Sequence, residues 1–341
     1  MSIEKNLMKH SFFIFSFLTI FFTSTFYCHA QKYTIFNQYE DTLKILARDI
    51  LYGEDDFIKY DANEKFLNTL QRVLKSDKSF DYPFDSLISI GILRSPDNSF
   101  RIFNWNLPKA NGTYEYFGII HTHKLGNNNY EVYVLSDKSD EIENPENQIL
   151  SYDNWYGAHY YKIIKNTAGQ KKYYTLLAWD GNNITSTKKI IEVLSFKSNG
   201  KPVFGAYLFK RYKKKTRRVI LEYSSSVMVS LKYDDQSFYI RKKSRSKKKN
   251  IKRISERMIV FDRLTPMDPK LEGQHQFYVP ETNIFDGFVF YNDKWVFIKE
   301  VDARNPDRKS NKKHVKKLEY DLFPPKTETP GDIKNNSSKN R

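Results

Sequence analysis

Cysteine is nearly absent from this sequence. Among 341 residues the only one is Cys28, at the end of an apolar N-terminal run. Once that run is removed the chain holds no thiol, which excludes a disulfide framework, a cysteine nucleophile and a cysteine-based zinc site. Its stability must come from its core, which is feasible at this length. Glycine is scarce too, 13 in all, and no glycine-rich phosphate loop occurs, which argues against nucleotide-binding folds built on such loops. Gly-x-Ser-x-Gly and His-Glu-x-x-His are both missing, so two common hydrolase signatures are absent. Acidic residues are outnumbered, 40 Asp and Glu against 56 Lys and Arg, for a formal charge of +16. No pattern in the chain specifies an activity, and no cofactor is expected.

What is present begins with an export signal. Residues 1–10, MSIEKNLMKH, carry Lys5 and Lys9; the apolar SFFIFSFLTIFFTSTFY follows, and Cys28-His29-Ala30 precedes Gln31. A basic region, an apolar region and small residues at −3 and −1 form a cleavable secretory signal, with cleavage after Ala30. Tyr27 argues against lipidation of Cys28, because lipoprotein signals place a small residue there. The apolar run, about 17 residues, lies at the lower limit for a membrane span. The expected mature protein is periplasmic, envelope-associated or secreted, with no transmembrane span. Cleavage removes Lys5, Lys9 and Glu4, which lowers the charge by only one. That excess attracts polyanions such as acidic glycans, lipid headgroups or acidic proteins of the envelope. Nucleic acid is set aside as a partner, since exported proteins rarely meet it.

The chain holds 24 Tyr and 26 Phe, residues that favour strands and bury much area each. An AT-rich genome over-supplies the same residues, so composition alone does not assign them a role. After Gln31, Tyr39, Leu43, Leu46 and Ile50 recur on one helical face, with Gly53 as the stop. Phe66, Leu70, Val73 and Leu74 mark a second helix, with Asp61 as its cap and Glu64 completing a capping box. FDSLISIGIL, residues 84–93, is read as a short third helix. From about residue 96 the pattern becomes stranded. SFRIFNWNL and YEYFGIIHT flank PKANG; AHYYKIIKN and KKYYTLLAW flank residues 167–170; FDGFVFY and KWVFIKEV meet at Asn292-Asp293, a tight hairpin signal. STKKIIEVLSF is read as a helix, with Ile190, Ile191 and Leu194 on one face and Thr185, Ser186 or Thr187 as cap. The final residues lack apolar periodicity and are expected to be a basic, disordered tail from 303 onward. The fold expected is α+β: an N-terminal helical segment, 31–95, packed on a large, mainly antiparallel β region, 96–302, the two forming one domain.

Three constellations are candidates for chemistry. His121 and His123 lie two apart on a strand and so point to one face; a third metal ligand could come from His159, His275 or Glu115. Asp180, Glu192, Glu222, Asp262 and Asp286 are acids that a glycan or peptide hydrolase could bring together in space, which spacing in sequence does not reveal. Two basic runs, 210–218 and 241–253, include Lys213, Lys214 and Lys215 in the first and Lys247, Lys248 and Lys249 in the second. Both are expected to be loops suited to an anionic surface. If Ser224–Ser226 turn the chain the two runs emerge from opposite ends of a meander; if residues 218–233 form one strand they share an end.

The stretch AWDGNN raises a binding question through Trp179, Asp180 and Asn182. It lacks the oxygen spacing of a calcium loop, and Asp-Gly and Asn-Asn tolerate positive φ, so a sharp strand-to-helix turn accounts for it. YYTLLAWDGNN, KIIEVLSF, IVFDRLTPMDPKLEGQHQFYVPE and FDGFVFYNDKWVFIKEVD resemble segments of an uncharacterised family of exported proteins from Bacteroidetes-type bacteria. The Ala30-Gln31 junction suits that group. The resemblance implies export and carries no activity, fold or site residue with it. The reading reached from the sequence is a non-catalytic envelope binding or scaffolding protein; a secreted hydrolase is the alternative.

Overall fold

The computed structural model describes residues 34–123, 130–241 and 251–301. Residues 1–33, 124–129, 242–250 with Lys247, Lys248 and Lys249, and 302–341 lie outside the described residues. The fold is α+β, with two N-terminal helices and three mostly antiparallel sheets.

Helix α1 (Thr34–Tyr52) buries Phe36, Leu43, Ala47 and Ile50, a stripe one step round from the expected one; Tyr39 and Leu46 are only partly buried. Helix α2 (Asp56–Leu74) begins earlier than its apolar pattern suggests, because Asp55 caps it by accepting from the Ile58 N–H at 2.8 Å. Asp61, the expected cap, lies inside the helix and pairs with Lys65 one turn on. Residues 84–90 form turns rather than a third helix, and 91–94 form strand β1.

The helices cover one face of the first sheet, whose order is β1 (Gly91–Arg94), β2 (Phe100–Pro108), β3 (Tyr114–His123) and β4 (Tyr130–Ser136). Phe103, Trp105, Leu107 and Ile119 of that face join the helical core, and Trp105 donates to the Asn63 Oδ1 of α2 at 2.7 Å. The opposite face, with Phe100, Ile102, Tyr116 and Ile120, packs on the second sheet. That sheet runs β5 (Leu150–Ser151), β9 (Pro202–Phe204), β8 (Ser186–Phe196), β7 (Lys171–Asp180), β6 (His159–Ala168), and β11 (Val219–Ser224) also pairs with β8. Its far face, with Leu177, Ile191, Val193 and Val219, packs on the third sheet through Ile259, Phe261, Phe288 and Trp295. The third sheet runs β10 (Phe209–Lys210), β15 (Lys294–Val301), β14 (Tyr278–Tyr291), β13 (Ile251–Pro266), β12 (Leu231–Arg241). The result is four layers, one of helices and three of sheet, around three main apolar interfaces.

Residues 186–196 are not a helix but strand β8, at the centre of the middle sheet. Ile190 and Leu194 face the first sheet, while Ile191 and Val193 face the third. A strand buried on both sides reads as a continuous apolar run, so its spacing also satisfies a helical face. The expected hairpins at 108–114, 168–171 and 291–294 are formed; Asn292 and Asp293 both take positive φ, as a two-residue turn of the primed type requires.

Candidate binding grooves

Strand β7 begins Lys171-Lys172-Tyr173-Tyr174, and strand alternation sends Lys171 and Tyr173 to one side of the middle sheet and Lys172 and Tyr174 to the other. Each side opens into a groove at the same end of the stack. The first groove, about 540 Å³, lies between the first and second sheets. Phe100 and Tyr174 form its floor, edge to face at 4.7 Å, and Phe196 leans on Phe100 at 5.1 Å. Its rim carries Lys171, Lys172 and Lys197 with the neutral side chains of Thr122, Gln170 and Asn199. Asp97 anchors the floor from behind. It accepts from Tyr174 at 3.0 Å and Ser99 at 2.7 Å and pairs with Lys165 at 3.3 Å and Lys172 at 3.5 Å. Burial alone would raise the Asp97 carboxyl, but hydrogen bonds from Ser99, Tyr174, Ser95 and Lys165 outweigh it and hold it well below the usual range. Burial and Asp97 push the Tyr174 phenol up to about 12, so it stays a neutral donor.

The second groove, about 530 Å³, lies between the second and third sheets, and Lys171 lines it as well. Arg217 stacks on Tyr207, 3.4 Å from the ring centroid, and Lys294 donates to the Tyr207 carbonyl. Lys171 stands 5.2 Å from the centroid of Tyr173. The tip of the β6–β7 hairpin is tied to the tip of the β14–β15 hairpin, Gly169 N–H donating to Asp293 at 3.0 Å.

That tie fixes the direction of the third sheet relative to the second. Strand β12 runs parallel to β14, so its end at Arg241 points to the groove end of the stack. Chain β14 stops at Tyr291, two residues past its last pair with β13 at Met258↔Val289, whereas β12 and β13 stay paired out to Arg241↔Ile251. A two-stranded ribbon therefore projects past the sheet there, by roughly 17 Å at the rise of an antiparallel strand. Ser224–Ser226 do turn the chain, with Val227 N–H donating to Ser224 O. Asp234, Asp235 and Gln236 pair within β12, so no second turn follows there. With one turn instead of two, the basic runs leave from the same end, contrary to the expectation for turning serines.

The first run is not a uniform solvated loop. Arg218 is fully buried and pairs with the buried Glu192 at 2.6 Å, while its Nη1 donates to Pro145 O. Lys213 pairs with Glu146 at 3.2 Å; Lys214 and Lys215 are exposed. The other acids singled out above are engaged too. Glu222 accepts from Ser186 at 2.6 Å, Asp262 from the Ser230 N–H at 2.6 Å, and Asp286 from Arg263 at 2.6 Å. Each groove is lined by one carboxylate, Glu131 in the first and Asp293 in the second.

His121 and His123 do share a face, both rings packing on Phe80 and Tyr130, but they differ in exposure. His123 is exposed and lines the first groove. His121 is buried behind it, its Nδ1 accepting from Arg101 Nε at 3.2 Å. Burial and the neighbouring Arg101 charge push His121 down to about 2. Among the described residues no group of three or more His, Cys, Asp or Glu is placed to hold a metal ion.

Trp179, Asp180 and Asn182 lie at the far end of β7 from both grooves and line neither. Their turn joins two strands, so no helix follows for Thr185 or Ser186 to cap; instead both N–H groups donate to Asn183 Oδ1. Asp180 is buried and accepts from Tyr116 at 3.0 Å and the Asn182 N–H at 2.7 Å, with Lys188 3.5 Å away. Burial raises the Asp180 carboxyl, and Lys188, Asn182 and Tyr116 oppose that rise. Asn182 takes the positive φ; Gly181 is needed for space, since a Cβ there would lie 2.4 Å from the Tyr114 ring. Trp179 is half-buried, edge to face with Tyr114 at 5.4 Å.

Sequence reasoning missed Lys171, Lys172 and Lys197. Their signal was the pairing of lysine with aromatics in KKYY and FKSNGK, which reads equally as ordinary strand and turn. No protein-family model, curated protein or solved structure matches this chain.

Proposed function

We propose that this chain is an exported, non-catalytic envelope protein that binds an acidic glycan in the first groove. The observation that carries the reading is the groove itself: an aromatic floor of Phe100, Tyr174 and Phe196 under a rim of three lysines. A pyranose ring has an apolar C–H face and a polar hydroxyl edge. The partly exposed rings of Tyr133 and Phe196 suit the face, neutral Thr122, Gln170 and Asn199 suit the hydroxyls, and lysines suit carboxylate or sulfate. The overall charge of +16 favours the approach of such a ligand. Export follows from the N-terminal signal and agrees with the resemblance to exported Bacteroidetes-type proteins.

Calorimetric titration of the mature chain with an oligogalacturonate tests this. Binding that weakens with added salt is expected, and Lys172→Ala with Lys197→Ala should weaken it about tenfold, or about 1.4 kcal/mol. Both lysines are exposed, so the variant should fold normally. No binding, or equal binding by the variant, would sink the reading. Neutralising Lys247, Lys248 and Lys249 is expected to reduce the salt-sensitive part only.

A further inference from the structure

The two grooves meet at one residue. Lys171 lines both, at the tip of the β6–β7 hairpin that separates them. Both grooves open at the same end of the stack, and both offer the same chemistry: aromatic rings beside cations. On one side these are Tyr174 and Phe196 with Lys172 and Lys197; on the other, Tyr173 and Tyr207 with Arg217 and Lys294. The repetition has a structural origin, since one strand's alternation supplies a lysine and a tyrosine to each side. The Gly169–Asp293 hydrogen bond holds the second side of the hairpin tip against the third sheet, so the spacing of the two grooves is set by the fold.

We infer that the two grooves form one track, and that the ligand is a linear acidic polysaccharide that crosses the β6–β7 tip over Lys171 and occupies both. This rests on the first groove binding acidic glycan, and adds that the ligand is a chain with charges at intervals rather than a terminal sugar. Single-stranded nucleic acid also pairs aromatics with cations, but an exported chain rarely meets it, which favours the glycan.

The test is chain-length dependence. A galacturonate dimer can fill one groove only; an octamer can reach across. The octamer is expected to bind about a hundredfold more tightly, since the second groove is engaged at high effective concentration. Tyr207→Ala and Lys294→Ala, in the second groove, should remove that gain and abolish dimer binding there, while the dimer's affinity for the first groove persists. Thermal unfolding of each variant, measured alongside, identifies any loss due to misfolding; a double variant folded like the parent yet keeping the full octamer gain overturns the inference. Equal affinity for dimer and octamer also overturns the track while leaving the first-groove reading intact. Failure of both oligomers removes both readings. Preference for a thymidylate oligonucleotide over the octamer would assign the grooves to nucleic acid instead and overturn the glycan.

Discussion

His159 on β6 is buried, and neither ring nitrogen has a hydrogen-bond partner in the structure. Burial pushes it down to about 4, so the folded chain keeps it neutral where an unfolded chain would protonate it near its ordinary 6.5. The unfolded state then binds more protons below that value, and stability present above pH 6.5 is lost as the pH falls toward 4. Near pH 5 the loss from one such histidine is about 2 kcal/mol. His159→Leu, apolar and of similar bulk, is expected to reduce the stability difference between pH 7.5 and 5 by about that amount in urea titrations. An unchanged difference would show that His159 accepts a proton in the fold. The sequence shows seven histidines and nothing to distinguish His159 and His121, sealed between layers, from His123 at a groove mouth. Burial is a property of the packed layers, and the residues that seal His121, including Ser79 and Arg101, lie far from it in the chain.

At the scale of the element, β8 is decisive. Its two sets of apolar residues serve different interfaces, and Glu192 sits among them only because Arg218, immediately before β11, meets it. Removing Leu194 on one face or Ile191 on the other should cost about 2–5 kcal/mol each as alanine variants, the range for buried aliphatics. Guanidinium unfolding of both variants checks this. A large loss for one and little for the other would mean that one face is not enclosed. The hairpins were legible because their turns carry local chemistry, as Asn292-Asp293 does. The identity of β8 was not, because Ile190, Ile191 and Leu194 fit a helix as well as a doubly buried strand. Only its neighbours β7, β9 and β11 decide between them. The start of α2 was misplaced for a related reason: Asp55 and Asp61 are both acceptable caps, and the chain uses the one that lengthens the helix.

For the whole molecule, the helices complete the first sheet. Without α1 and α2, Phe103, Trp105, Leu107 and Ile119 would form a contiguous apolar surface of the kind that drives association. A chain beginning at Gly91 is expected to bind a hydrophobic dye and elute from gel filtration as aggregates, while the chain beginning at Gln31 elutes as a discrete species. A soluble, dye-silent product from Gly91 would show that the helical layer is dispensable. The same layering creates the grooves. Two interfaces between three sheets end side by side, and the β6–β7 tip stands between them with Lys171 at its edge.

Local patterns in the sequence determined the two amphipathic helices, most hairpins and the α+β class, because each rests on neighbours in the chain: a period of 3.6, a turn dipeptide. The tertiary structure alone decided that β8 is a strand, that Arg218 leaves a basic run to enter the core, and that the aligned lysines are those of β7 and the β8–β9 turn. These outcomes depend on contacts between residues tens of positions apart, and on layers that cover both faces of one strand. AWDGNN drew notice by its local chemistry and proved to be a packed turn at one end of β7. KKYY, at the other end of the same strand, acquires its meaning from the two sheets on either side.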